Sequence, residues 1–295
     1  MSIIEIKHLT KDYGKGRGIF DVSFSVEKGE VFGFLGPNGS GKTTTIRHLM
    51  GFSNPQAGHA TINGLDCRRN AADIHRLLGY LPGEMAFIEN MTGMAFIKFM
   101  AEYRGLKDLT RAKQLIERFE LNPNGKLKKM SKGMKQKTGI VCAFMHDPDV
   151  LILDEPTSGL DPLMQNTFID LILEERARGK TILMSSHIFE EVERTCSRLG
   201  IIKEGRIVAI DSIEEIKQTK TKKYVITFED VQSAALFSKE PLYVETAADC
   251  DVTVIIKNDI KQLIEAMNKY PVTNIHEVNQ SLEEIFLHYY GGDQS

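Results

Sequence analysis

The chain reads as an α/β fold on a largely parallel sheet, with an N-terminal antiparallel β subdomain, an inserted helical subdomain and a small C-terminal α+β domain. Three observations predict this. "VFGFLG" (31–36) is an unbroken apolar run ending in glycine, as expected of a strand buried on both faces, and helical "KTTTIRHLMG" (42–51) follows it. "VLILD" (150–154) and "TILMSS" (181–186) are separated by helical "PLMQNTFIDLILEERARGK", and strand–helix–strand order implies parallel pairing through right-handed crossovers. The 295 residues, 42% hydrophobic and 26% charged, suit a soluble chain of roughly two domains.

The elements follow in order. "IIEIKHLT", "VSFSVEKGE" and "ATINGLD" alternate with period two and carry turn residues, as antiparallel strands do. The helix after the first buried strand ends at Gly51, a C-cap residue. From Asn90 to Leu121 the pattern turns helical, with Phe96, Phe99, Met100 and Tyr103 at spacings of three and four and Leu115, Ile116 and Phe119 repeating it. "LGIIKEGRIVAID" is again strand-like, and near 211–223 apolar density falls and "KQTKTKK" reads as a solvated linker. "YVITFED", "LYVETAA" and "DVTVIIKN" alternate with helical "DIKQLIEAMNKY" and "SLEEIFLHYYGG", a separate α+β unit. The expected boundaries are 1–215 for the first domain, with its helical subdomain about 84–147, then a 216–223 linker and a 224–295 accessory or dimerisation domain.

Bulk properties exclude several classes. Lys+Arg of 37 against Asp+Glu of 40 gives a net charge of -3, so no global field recruits nucleic acid or an anionic membrane. The four cysteines, Cys67, Cys142, Cys196 and Cys250, form no CxxC and suggest neither zinc nor a disulfide framework. "MSIIEIKHLTKDYG" has charges where a secretory signal needs an apolar core, and no window approaches eighteen uncharged apolar residues.

"GPNGSGKTT" (36–44) completes G-x-x-x-x-G-K-[ST] between a buried strand and a helix start. Desolvating phosphates requires convergent backbone N–H groups, and Gly36, Gly39 and Gly41 permit the close approach. The helix N-terminus adds partial positive charge. Gly36, Asn38, Gly39, Ser40, Gly41, Lys42, Thr43 and Thr44 are therefore the candidate ATP phosphate residues, with Lys42 on the β- and γ-phosphates and the Thr43 hydroxyl on Mg²⁺. Asp154, ending a hydrophobic strand, is placed to anchor the same Mg²⁺, and Glu155 to polarise the attacking water as general base. His187, after the next strand in "MSSH", should emerge at the same sheet edge and hold that water in line; the other seven histidines carry no assigned role.

As an ordered series, about the first 215 residues resemble the ATP-binding subunit of an ABC transporter, a P-loop NTPase core. The resemblance implies that Tyr13 in "KDYGKG" stacks on adenine. It also implies that "MSKGMKQK" (130–137) stands for the LSGGQ signature, with Ser131 and Gly133 matching and Lys132 and Met134 departing. "SGLD" (158–161) corresponds to the D-loop and His187 to the switch histidine. In that family each ATP is sandwiched between two chains, so Ser131, Gly133 and Asp161 would serve the nucleotide of a second copy. The partners implied are that copy and integral membrane permease subunits, with no nucleic acid. Localisation would be peripheral, on the cytoplasmic side of the cell membrane. "GYLPGEM" departs from the family by placing Gly83 where a metal-sensing glutamine is expected, leaving Glu84 as a candidate metal ligand. "LPGE" and the C-terminal extension are similar to single-domain ATPases that pair with small permeases exporting antibiotics, peptides or related amphiphiles. The apolar residues of "EMAFIENMTGMAFIKF" (84–99) suit either core burial or a groove for a permease helix. The alternative reading is a soluble ABC ATPase remodelling ribosomes or DNA repair complexes, families that usually carry two cassettes or a long coiled-coil insertion.

Overall fold

The computed structural model describes residues 1–88, 90–218, 222–256 and 260–278, and the chain divides into two compact units, Met1–Ile213 and Glu214–Ser295.

In the first unit, β1 (Ser2–Asp12) and β2 (Gly18–Glu27) form a hairpin; β3 (Val31–Leu35) and α1 (Lys42–Leu49) follow, then β4 (Ala57–Ile62) and β5 (Leu65–Asp66). The antiparallel sheet runs β2-β1-β4-β5. Alternation in β2, with Val22, Phe24 and Val26 buried, points one face inward. There the Phe24 ring stacks on Phe32 of β3, centroids 5.1 Å apart and planes 2° off parallel.

After α2 (Ala71–Leu77) and β6 (Leu78–Leu81) come three helices, α3 (Gly93–Tyr103), α4 (Thr110–Arg118) and α5 (Lys132–Phe144). Then β7 (Val150–Asp154), α6 (Pro162–Ala177), β8 (Thr181–Ser186), α7 (Phe189–Thr195), β9 (Arg198–Lys203) and β10 (Arg206–Ser212) complete a six-stranded sheet ordered β10-β9-β3-β8-β7-β6. It is parallel except for the antiparallel β9–β10 edge. All five residues of both β3 and β7 are buried, which is why these strands read as continuous apolar runs. Parallel pairing brings the C-terminal ends of β3, β7 and β8 to one edge, where α/β sheets bind ligands.

The expected stripe of α3 is not its buried face: Phe96 and Met100 are half-buried, with the Phe96 ring edge-on to Phe87 at 5.0 Å between centroids. Gly93, Ile97 and Ala101 are buried, whereas Phe99 is 43% and Tyr103 81% exposed. α3 packs on α5, and at its start Gly93 lies against Pro123 and Met130, where a Cβ would come 3.0 Å from the Pro123 carbonyl oxygen. The second stripe behaves as expected, with Leu115 and Phe119 buried.

In the second unit, α8 (Ile213–Gln218) starts at the boundary and occupies part of the expected linker. It precedes β11 (Lys222–Phe228), α9 (Val231–Phe237), β12 (Tyr243–Ala248), β13 (Asp251–Ile256), α10 (Lys261–Met267) and β14 (Val272–Val278). The βαββαβ order with sheet order β12-β13-β11-β14 is the ferredoxin-like arrangement. Tyr224, Ile226 and Phe228 alternate inward with Val252 and Val254 to meet Phe237 and Leu263 from the helices. β14 and α9 were not legible as elements in the sequence, and "SLEEIFLHYYGG" lies outside the described residues. Among the described residues no helix is long and apolar enough to cross a membrane.

Candidate functional site: a nucleotide site at the strand ends

The β3–α1 turn builds the first half of the site. Gly41, the N-cap of α1, has φ 114, a left-handed conformation that a β-carbon would strain. A Cβ on Gly36 would lie 2.4 Å from the Ile202 carbonyl oxygen, so the turn closes tightly over the sheet. Lys42 is 4% exposed; its ammonium donates to Gly36 O at 2.6 Å and Pro37 O at 3.2 Å, and forms an ion pair with Glu155 Oε1 at 3.0 Å, a buried oxygen that accepts no hydrogen bond. Asn38 and Gly39 are exposed at the tip, Thr43 is exposed and Thr44 half-buried on the first turn of α1, whereas Ser40 is buried.

The second half comes from β7 and β8. Their register sets Asp154 opposite Ser185, whose hydroxyl donates to Asp154 Oδ1 at 2.5 Å. Burial pushes the Asp154 carboxyl upward, opposed by hydrogen bonds from Ser185 and Thr43, while the Glu155 charge adds to the rise. Asp154 Oδ2 is buried without a hydrogen-bond partner. An orphaned oxygen on a hydroxyl-bonded carboxylate fits a hard cation such as Mg²⁺, which would favour the ionised form. Glu155 has φ 49, a conformation costing roughly 1–3 kcal/mol for such a residue and recurrent at functional sites. Its backbone N–H reaches Ser185 O at 3.2 Å and Ser185 Oγ at 3.1 Å. From there its carboxylate bridges Lys42 through Oε1 and His187 Nδ1 through Oε2, the latter at 2.5 Å. Lys42, Asp154, Glu155 and His187, drawn from three segments, thus meet at one edge.

The segment "MSKGMKQK" opens α5. Ser131 is its N-cap, the hydroxyl accepting from Met134 N at 3.3 Å. A Cβ on Gly133 would lie 2.6 Å from Gly159 O, so glycine is needed for the helix to touch the 158–161 loop. Lys132 Nζ donates to Ser158 Oγ at 2.7 Å, and buried Gln136 donates through Nε2 to Glu155 O at 3.2 Å and Pro156 O at 2.7 Å. Sequence reasoning missed Gln136 and Ser185, because contacts spanning about 20 and 31 positions leave no local pattern. Asp161 caps α6 by accepting from Met164 N at 3.0 Å.

Tyr13 stands outside this cluster, 52% exposed in the β1–β2 turn, with Lys11 Nζ 5.7 Å from its ring centroid. Beside Asp154 lies Gly83, where a Cβ would sit 3.2 Å from Oδ2; Glu84 is exposed.

A parallel sheet presenting a phosphate loop beside an Asp–Glu strand end and a histidine defines a nucleoside-triphosphate-binding cassette. Residues 19–158 match the ABC transporter family model. The chain is 33% identical over 289 residues, 96% of its length and 98% of the relative's, to the uncharacterized ABC transporter ATP-binding protein MJ1023 of Methanocaldococcus jannaschii. It is 35% identical over 213 residues, 70% of its length and 68% of the relative's, to the linearmycin resistance ATP-binding protein LnrL of Bacillus subtilis. A solved structure of the ATP-binding subunit of an ABC transporter superposes with a TM-score of 0.68 at 34% identity, covering 74% of this chain and 92% of that one. The fold is also that of the dimeric bacterial ABC transporter cassette MJ0796, with a TM-score of 0.64 at 22% identity over 71% of this chain and 98% of that one. The chain belongs to the ABC transporter ATP-binding proteins, a family of ATPases.

Proposed function

We propose that two copies of this chain sandwich two ATP molecules, close on them, and drive a separate membrane permease, with hydrolysis resetting the pair. The observation that carries this is the connected series Lys42–Glu155–His187 beside Asp154, which unites a phosphate-binding cation, a general base and a group able to hold water in line. Gly36, Asn38, Gly39, Ser40, Gly41, Lys42, Thr43 and Thr44 bind the phosphates and Tyr13 stacks on adenine. Thr43 and Asp154 would hold Mg²⁺, which when bound supplies charge neutralisation for the β- and γ-phosphate oxygens. Glu84, exposed next to Gly83, would be a further ligand of that Mg²⁺, directly or through water.

In the second copy, Ser131, Gly133 and Asp161 face this nucleotide. Support comes from the α5 N-terminus, whose dipole and hydroxyl favour an anion, and from the dimer seen for the MJ0796 cassette. Exposed Phe99 and Tyr103 on α3 give a permease helix an apolar seat, and the permease anchors the chain at the cytoplasmic face of the membrane. The cargo is an antibiotic, peptide or related amphiphile, a class supported by the likeness to the linearmycin resistance ATP-binding protein.

Phosphate release from Mg-ATP by the full chain tests the reading. Lys42→Ala should abolish release; an unchanged rate would refute the assignment.

A further inference from the structure

The reaction groups leave one buried acid unused. Glu191, on the first turn of α7, is 3% exposed. Its Oε2 accepts from Ser186 Oγ at 2.7 Å and Thr157 Oγ1 at 3.2 Å, while Oε1 is buried without a partner. A carboxylate shut away against two neutral hydroxyls is destabilising, and scaffolding alone would be served as well by an apolar side chain. The positions of its two donors suggest another use. Thr157 lies two residues after Glu155, and Ser186 immediately precedes His187. Because His187 Nδ1 touches Glu155 Oε2, a closed ring forms: Glu155, Thr157, Glu191, Ser186, His187 and back to Glu155.

We infer that Glu191 is a positioning residue for ATP hydrolysis, its carboxylate tying the loop that carries Glu155 to the loop that carries His187 and fixing their separation. The inference rests on the hydrolytic reading above. It concerns a residue that touches neither nucleotide nor metal, so its loss acts on turnover and leaves ATP binding intact. The segment that carries Glu155 also runs into the 158–161 loop, since Ser158 N donates to Glu155 O and Leu160 N donates to Thr157 O. Glu191 therefore sets the base, the histidine and the start of that loop together.

The charge state of Glu191 supplies an independent readout. Burial raises its carboxyl to about 7, with the nearby Glu155 charge adding to the rise and the two hydroxyls opposing it. The groups facing it are few. Glu190 and Arg194 line the adjoining cavity of about 150 Å³, where Arg194 is engaged by Asn166 Oδ1 at 2.7 Å, and the Cys196 thiol, pushed up to about 12 by burial, stays neutral. Above pH 7 the ionised group is acceptor-only and holds both hydroxyls; as pH falls through 7 it gains a proton that has no acceptor at Oε1.

Steady-state ATPase assays of the full chain with Glu191→Ala and Glu191→Gln test this. Glu191→Ala should lower kcat at least about tenfold with KM for ATP within about twofold. Glu191→Gln, which keeps an oxygen for both hydroxyls, should retain most of kcat at pH 8 and lose the acidic limb that the parent shows near pH 7. Parent-like kcat in Glu191→Ala, matched losses in kcat and ATP affinity, or an acidic limb in Glu191→Gln identical to the parent's would each overturn the inference while leaving the ATPase assignment standing. If Glu191→Ala does not fold, the glutamine pH profile alone decides. No phosphate release by the parent would overturn the hydrolytic reading and this inference with it.

Discussion

Replacing Glu155 by glutamine perturbs two contacts at once, and the structure sets opposite effects for them. The carboxylate sits 3.0 Å from Lys42 Nζ and 2.5 Å from His187 Nδ1, so the amide removes both the base and the counter-ion of a nearly buried ammonium. Loss of a general base lowers kcat by about 10²–10⁴, or about 3–5.5 kcal/mol of barrier at about 1.4 kcal/mol per decade. Affinity should move the other way. A unit charge pair about 4 Å apart at an effective dielectric of 20 interacts by about 4 kcal/mol, and the triphosphate must compete with that pair for Lys42. Only part of this is recovered, because the Gly36 and Pro37 carbonyls still hold the ammonium, so the Kd for ATP should fall by at least about threefold. Single-turnover phosphate release and calorimetric ATP titration measure the two effects separately. A kcat within about threefold of the parent would refute the role given to Glu155.

Two further outcomes test the surroundings of the site. Gly133→Ala should destabilise the first unit by about 1–3 kcal/mol, because its Cβ would meet the Gly159 backbone oxygen and a loop must move; an unchanged urea midpoint would contradict that packing. Asp147 is held below the usual carboxylate range chiefly by its hydrogen bond from Arg178, helped by Arg111 and Lys180. Its folded pKa lies below its unfolded one, so it contributes stability above the ordinary carboxylate range, and this is lost as pH falls through the folded value. Asp147→Asn should thus be less stable than the parent at pH 7 and indistinguishable at strongly acidic pH, as thermal melts at both values would show.

How much of this was legible in the sequence depends on how local each feature is. The phosphate loop, "VLILDE" and "MSSH" carry their chemistry in contiguous residues, and burial on both faces makes β3, β7 and β8 read as strands without any partner being known. Periodicity also found α3, but a repeat fixes an angular face and not its direction. Tertiary packing put Gly93, Ile97 and Ala101 in the interior and left the larger Phe99 and Tyr103 facing outward. The ties that hold the site together were invisible for another reason. Gln136 to Pro156, Lys132 to Ser158 and Glu191 to Thr157 join residues 20 to 34 positions apart, and nothing in their own neighbourhoods marks them. Short elements such as β6 and α7, four and seven residues long, likewise give too few periods to be recognised.

The claim that each ATP is shared between two chains is tested most directly by mixing two inactive variants. Lys42→Ala spoils the phosphate loop and spares the α5 N-terminus; Ser131→Arg blocks that N-terminus and spares the loop. If nucleotide sites are built across protomers, each variant alone is silent, while a mixed dimer contains one intact site. Equal mixing should then restore up to roughly a quarter of the parent's phosphate release. Full activity of Ser131→Arg by itself, or no gain on mixing under conditions where the variants exchange subunits, would contradict the shared site.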